Sequence, residues 1–300
     1  MFLSVIICTY NRDQHIERAL HSLIKQDYDK SDYEIIVVDN NSTDKTPEII
    51  RDFKNNHPDF NIILAKETRQ GLSYGRNKGI ALARGTYLSY IDDDGIAKED
   101  YISKIKQYTE QYPNYYALGG KVLPTYETKE EPNWMSNYIE RIISVVDLGN
   151  QVKELPKIYP VGCNMIFKKE IFKHVGSFNT ELKLRSDDKY IFLKIRQEGY
   201  KVLYLPKVVV WHFIDAFRTT PEYVKKVSRL NGEAEYIRIK STGKNCPWSM
   251  ILRLLDYLFK VSASLILWVI FAIKGQNIKG KMLFISLWKQ FMGFISRPKF

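Results

Sequence analysis

Phe2-Leu3-Ser4-Val5-Ile6-Ile7-Cys8, broken off by Thr9-Tyr10-Asn11-Arg12, is the segment from which the architecture follows. Its apolar residues are continuous rather than alternate, as a strand covered on both faces requires. Directly after the polar break, Ile16, Ala19, Leu20, Leu23 and Ile24 return at helical spacing. The pattern repeats. Glu34-Ile35-Ile36-Val37-Val38-Asp39 is a second strand, Asn40-Asn41-Ser42 a turn, and Thr46-Pro47 the start of a helix through Ile49, Ile50 and Phe53. Asn61 to Ala65 is a third strand, followed by a loop with Gly71 and Gly75 and a helix around Asn77 to Ala83; Thr86 to Ile91 is a fourth. Alternating units of this kind predict an α/β fold, a mostly parallel sheet covered by helices, with the ligand crevice at the carboxyl ends of the strands.

Beyond residue 100 the regularity weakens. Tyr101 to Tyr112 reads as a helix, and residues 124–160 as a long irregular stretch carrying Trp134, Tyr138 and Tyr159. A strand from Cys163 to Phe167, a helix from Asp187 to Glu198 and strand segments at Val202–Leu205 and Val208–His212 follow.

The chain has 300 residues, 45% of them hydrophobic and 26% charged, which excludes a largely disordered protein. The net charge of +11 is concentrated at one end: residues 221–300 hold 14 Lys/Arg against 4 Asp/Glu. There, basic side chains interleave with Trp268, Phe271, Trp288 and Phe291, a composition suited to a helical tail lying on an anionic membrane surface or packed on the protein itself. The apolar run Val261–Ile273, between Lys260 and Lys274, covers 13 residues. As a helix it reaches about 20 Å, short of the roughly 30 Å hydrocarbon core. The expected division is an α/β domain over residues 1–215 and a helical C-terminal region over 216–300. Because the charge sits in an apolar tail and no nucleic-acid motif is present, nucleic acid is not an expected partner. Cys8, Cys163 and Cys246 lie far apart, which indicates neither a disulfide framework nor a thiolate zinc site; Cys8 and Cys163 read as small buried residues in a reducing, cytoplasmic setting. No basic segment precedes the first strand, so a secretory signal is not expected.

Chemistry concentrates at strand ends. Asp92-Asp93-Asp94-Gly95 places three carboxylates directly after an apolar strand, where a hard divalent cation such as Mg²⁺ or Mn²⁺ would relieve their repulsion. Ser186-Asp187-Asp188 heads a helix; carboxylates there either cap it or act as a general base toward a substrate hydroxyl. His212, ending a Val-rich strand, is either structural or a metal ligand. The aromatic rings of Trp134 and its neighbours either offer flat faces to a bound ring or pack locally.

Four segments in order, Ser4 to Arg12, Ile36 to Asp44, Gly71-Leu72-Ser73-Tyr74-Gly75-Arg76-Asn77-Lys78-Gly79 and Asp92 to Asp94, resemble glycosyltransferase family 2. The likeness continues through Gly162-Cys163-Asn164, Gly176-Ser177-Phe178, Asp187-Asp188 and His212, and covers residues 1 to about 215. It implies a Rossmann-like GT-A fold with helices on both faces and metal-dependent, inverting transfer of a sugar from a nucleotide diphosphate, UDP being favoured. Thr9, Tyr10, Asp39, Arg76, Asn77, Asp92 and Asp93 would then line the nucleotide pocket, with Asp92 on its ribose or base side. Asp94 and His212 would hold the cation, Asp188 would be the base, and Asp187 and Trp134 would lie toward the acceptor. The family's pair at the base position is commonly Glu-Asp, whereas this chain has Asp-Asp. The acceptor implied is a saccharide or lipid-linked saccharide in cell-surface polysaccharide synthesis, reached from the cytosolic face of a membrane. Transfer to a polyprenyl phosphate, or a sugar-binding protein without turnover, are the alternatives.

Overall fold

The computed structural model describes residues 1–182, 185–241 and 246–296, and within it the chain forms two compact units. The first comprises Met1–Pro124, Val146–Lys183 and Asp187–Phe213; the second comprises Thr125–Val145, Leu184–Ser186 and Ile214–Phe300.

Strands β1 (Leu3–Thr9), β2 (Tyr33–Asp39), β3 (Ile62–Lys66), β4 (Tyr87–Tyr90), β5 (Gly95–Ala97), β6 (Ala117–Tyr126), β7 (Lys153–Glu154), β8 (Met165–Lys168) and β9 (Val202–Ile214) form one nine-stranded sheet. Its order is β3-β2-β1-β4-β8-β6-β9-β5, with β7 beside β9. The first four strands are parallel, as the alternating pattern predicts, and β8, β6, β9 and β5 extend the sheet, with antiparallel pairing of β4 with β8, β8 with β6 and β9 with β5. Helices α1 (Ile16–Ile24), α2 (Thr46–Asn56), α3 (Leu72–Leu82) and α4 (Tyr101–Gln111) cover the parallel part. Strand β2 is buried along its whole length, which its unbroken apolar run demands. Helix α1 buries Ile16, Ala19, Leu20 and Leu23, a single stripe at i, i+3, i+4 and i+7.

Helix α3 begins at Leu72, five residues before the expected start, because the glycines that suggested a loop serve packing instead. A Cβ on Gly79 would stand 2.5 Å from Ile6 Cγ2. Missing side chains let α3 lie against β1, and the cost of helical glycine is offset by that contact. Only Gly71, at φ 141°, needs glycine for its backbone. The two strand segments expected at 202–212 form one continuous strand, β9, running through Pro206.

In the second unit, α5 (Asn137–Ile142) precedes the long helices of the C-terminal region; the short α6 (Phe172–Val175) and α7 (Asp187–Gln197) belong to the first unit. Helices α8 (Pro221–Ser241), α9 (Cys246–Ile273) and α10 (Asn277–Ile295) follow. The apolar run 261–273 is the distal half of α9, whose 28 residues extend about 42 Å. By length and composition Pro247–Ile273 is thus long enough to cross a membrane, with a mean hydropathy of 1.8, which the 13-residue run alone is not. Helices α8 and α10 meet through small residues. The Ser228 and Ser286 hydroxyls pair at 2.7 Å, and a Cβ on Gly232 would meet the Gln290 carbonyl oxygen at 1.9 Å. Arg253 of α9 reaches Glu235 of α8 at 2.6 Å.

Candidate active site

The carboxyl ends of β1 and β2 bring Thr9 and Asp39 side by side in register. The loops beyond them are tied into one rim. Asn11, in the left-handed region at φ 51°, accepts the Thr43 N–H on its side-chain oxygen at 2.8 Å, and the Arg12 N–H donates to the Thr46 hydroxyl at 2.8 Å. Asp39 accepts the Ser42 N–H at 3.0 Å. Asn40 braces the floor, donating to the Arg69 carbonyl at 2.7 Å and accepting from the Gly71 N–H at 2.8 Å. Tyr10 projects outward, 47% exposed, while Thr9 and Asp39 are buried.

After β4 the three aspartates diverge. Asp94 is buried, its carboxylate 3.0 Å from His212 Nε2. The pairing of Gly95 with His212 between β5 and β9 fixes that approach from the backbone. Asp93 is also buried; burial and the neighbouring Asp94 charge push its carboxyl well above the usual carboxylate range, opposed by Arg12. The Arg12 guanidinium stands 3.5 Å from Asp93 and 3.6 Å from Asp94. Asp92 is half-buried and faces Arg76 at 3.7 Å. Asp92, Cys163 and His212 each offer a ligand atom within 4.8 Å of the other two. Carboxylate, imidazole and thiol donors converging on one spot fit a divalent cation.

Arg76 is the hub on the other side. It is buried, donates to the Asp187 carboxylate, and its guanidinium lies 5.5 Å from the Phe178 ring centre. A Cβ on Gly162 would come within 2.3 Å of Arg76, so glycine there makes room for the guanidinium. Asp187 is therefore engaged in an ion pair at the first turn of α7. Its neighbour Asp188 is half-buried and accepts N–H bonds from Lys189 at 2.6 Å and Gly162 at 3.3 Å. Burial, and after it the Asp187 charge, push the Asp188 carboxyl up to about 6, against the pull of Arg76. A carboxylate with its proton affinity set near neutrality is suited to general-base work.

Thr9, Asp39, Arg76, Asp92, Asp93, Asp94, Asp187, Asp188 and His212 thus all belong to the first unit. Asn77 has another use: both ends of its amide bond the backbone of Phe178, at 2.9 Å each, holding the ring that covers Arg76. Trp134 lies in the second unit, 8% exposed, packed with Met135, Ile139, Ile214 and Val224. Local packing, one of the two roles weighed for that ring, describes its surroundings. Two residues outside the expected set stand at the centre: Arg12, next in sequence to the loop residues already singled out, and Cys163, whose approach to Asp92 and His212, distant in sequence, leaves no local signal.

A model described as glycosyl transferase family 2 matches residues 4–176, and the chain belongs to that family. It is a glycosyltransferase with the GT-A fold. Among its relatives is a glucosyl-dolichyl phosphate glucuronosyltransferase of Haloferax volcanii, 28% identical over 73% of this chain and 71% of that one. Among solved structures, a mannosyltransferase of Pyrobaculum calidifontis in complex with GDP-Man and Mn²⁺ aligns with a TM-score of 0.65 and 18% identity, over 96% of this chain and 86% of that one. Residues 1–349 of TarS of S. aureus in complex with UDP-GlcNAc align with a TM-score of 0.57 and 21% identity, over 80% of this chain and 66% of that one.

Proposed function

We propose that this chain transfers a sugar, with inversion, from a nucleoside diphosphate to a saccharide or lipid-linked saccharide at the cytosolic surface of a membrane, in cell-surface polysaccharide synthesis. The observation that carries this is the convergence of the Asp94–His212 pair, 3.0 Å apart, with the raised Asp188 carboxylate in one unit of the fold. Asp94 and His212 would hold Mn²⁺ or Mg²⁺, which when bound neutralises charge on the departing diphosphate. Thr9, Tyr10, Asp39 and Asp92 would line the nucleotide pocket, and the rim of paired loops would exclude water from it.

Asp188 receives the proton of the attacking hydroxyl on its carboxylate. The Gly162 and Lys189 N–H groups orient that carboxylate, and the Arg76–Asp187 pair anchors the first turn of α7 beneath it. One base and one cation suffice for a single displacement. Arg76 and Asn77 act on this scheme from beneath, through Asp187 and Phe178. Catalysis is assigned to residues 1–215 and attachment to 216–300. The dolichyl-linked acceptor in the name of the Haloferax relative favours a lipid-linked saccharide, and the basic helices with their exposed apolar face give a surface that suits a bilayer holding it.

The test is thermal unfolding with UDP, GDP and their sugars, with and without Mn²⁺, on wild type and Asp94→Ala. A bound nucleotide at 100 times its Kd raises stability by about 2.7 kcal/mol. Cation-dependent stabilisation by one nucleotide, absent in Asp94→Ala, is the expected result; a wild type indifferent to every nucleotide would refute the donor site.

A further inference from the structure

The donor-site scheme gives Cys163 no task, yet few side chains are more firmly placed. It is fully buried at the middle of the short turn Gly162–Asn164. Asn164 accepts the Tyr101 hydroxyl at 3.1 Å and donates to the Lys121 and Val208 carbonyls at 3.0 Å each. The Tyr101 hydroxyl is paired in turn with Ser89 at 2.7 Å, and Gly162 is held to Asp188. The turn therefore cannot swing away without breaking buried hydrogen bonds. It aims a sulfur at Asp92 and His212, the three ligand atoms lying within 4.8 Å of one another. A residue that only filled space would have no need of a soft donor beside a carboxylate and an imidazole.

We propose that Asp92, Cys163 and His212 form a site for a thiophilic divalent cation of the Zn²⁺ class. Its donor set is oxygen, sulfur and nitrogen, against the oxygen and nitrogen of the Asp94–His212 pair. Sharing His212 sets the two occupancies in competition; that competition, and the antagonism drawn from it, rests on the proposed role of Asp94 and His212. On binding, the thiol proton leaves to solvent, the sulfur–metal bond forms, and no electron changes hands. Metal–sulfur and metal–nitrogen bonds of about 2.3 and 2.0 Å require the donor atoms to draw together by about an ångström. For such a set Zn²⁺ binds more tightly than Mn²⁺ in the general order of divalent affinities. On the proposed role of Asp94 and His212, a thiophilic cation would then antagonise the transferase by occupying His212.

The experiment is a Co²⁺ titration of the full chain, followed by near-ultraviolet absorption. Wild type, Cys8→Ser and Cys246→Ser are expected to develop a thiolate-to-cobalt charge-transfer band that added Zn²⁺ erases. Cys163→Ser and Cys163→Ala are expected to lack it and to bind Zn²⁺ at least about tenfold more weakly, with Mn²⁺ affinity unchanged. No band in wild type, or a band kept in both Cys163 variants, overturns the site. Should both variants misfold, zinc-edge X-ray absorption of the wild type decides: one sulfur neighbour at about 2.3 Å supports the site, and a shell of oxygen and nitrogen alone refutes it. A wild type without the sulfur signal whose nucleotide binding still needs Mn²⁺ refutes this site and leaves the donor-site scheme standing; a sulfur signal with no nucleotide binding does the reverse.

Discussion

The two units spend their apolar residues in opposite ways. In the first, the runs of β1 and β2 vanish into the sheet, and buried charges are matched, Asp187 by the buried Arg76 and Glu34 by the exposed Arg84. In the second, the helices meet through glycine and serine, and much of the apolar surface faces outward: Phe259 is 73% exposed, Ile266 65% and Ile273 81%. A contiguous exposed face of this kind marks an interaction surface rather than a core. The contrast teaches that hydrophobicity along the chain has two destinations, and that only the packing tells them apart.

The largest effect that sharpens the contrast belongs to the first unit. Asp188→Asn is expected to lower kcat by about 10² to 10⁴ while leaving the melting temperature within a few degrees, measured by steady-state kinetics and calorimetry. Arg76→Ala strips the partner from a buried carboxylate, and a loss of about 3–5 kcal/mol in denaturant unfolding should follow. Next comes pH. A base must be ionised to work, and burial together with the Asp187 charge raises Asp188 to about 6, so kcat should fall as pH drops through that value. Asp187→Asn removes the second of those causes and should move the acid limb downward; an upward move would show that Asp188 is not the group titrating.

In the second unit the expected effects are smaller and of another kind. Gly232→Ala forces a Cβ against the Gln290 carbonyl and should cost about 1–3 kcal/mol in thermal unfolding, with donor-nucleotide affinity unchanged. Phe259→Glu with Ile266→Glu should alter stability by no more than about 0.5 kcal/mol per site, because both side chains are exposed. The same double variant should release the protein from vesicles of anionic lipid in a flotation assay; full retention would break the link between exposed face and membrane.

Much of the first unit was legible because its signals are local. Continuous apolar runs mark strands buried on both faces, and the stripe at Ile16 to Leu23 marks the helix between them. The acidic cluster was legible for the same reason, since crowding of like charges is visible in one dimension. The placement of Cys163 was not, because its neighbours Asp92 and His212 come from two distant parts of the chain. Nor was the engagement of Asn77, whose amide serves a backbone 101 residues away. The glycines of α3 misled in an instructive way: freedom of φ and absence of a Cβ look alike in sequence, and only the approach of Ile6 separates them.

The crossing of α8 and α10 has a consequence for the proposed attachment to a bilayer. Contacts between bare backbones, and a hydroxyl pair that satisfies itself, owe little to the expulsion of water. Transfer of the outer face of α9 from water to lipid would leave that crossing as it was. Under the proposed attachment the helical unit would therefore hold one internal arrangement, and binding a bilayer would not wait on refolding.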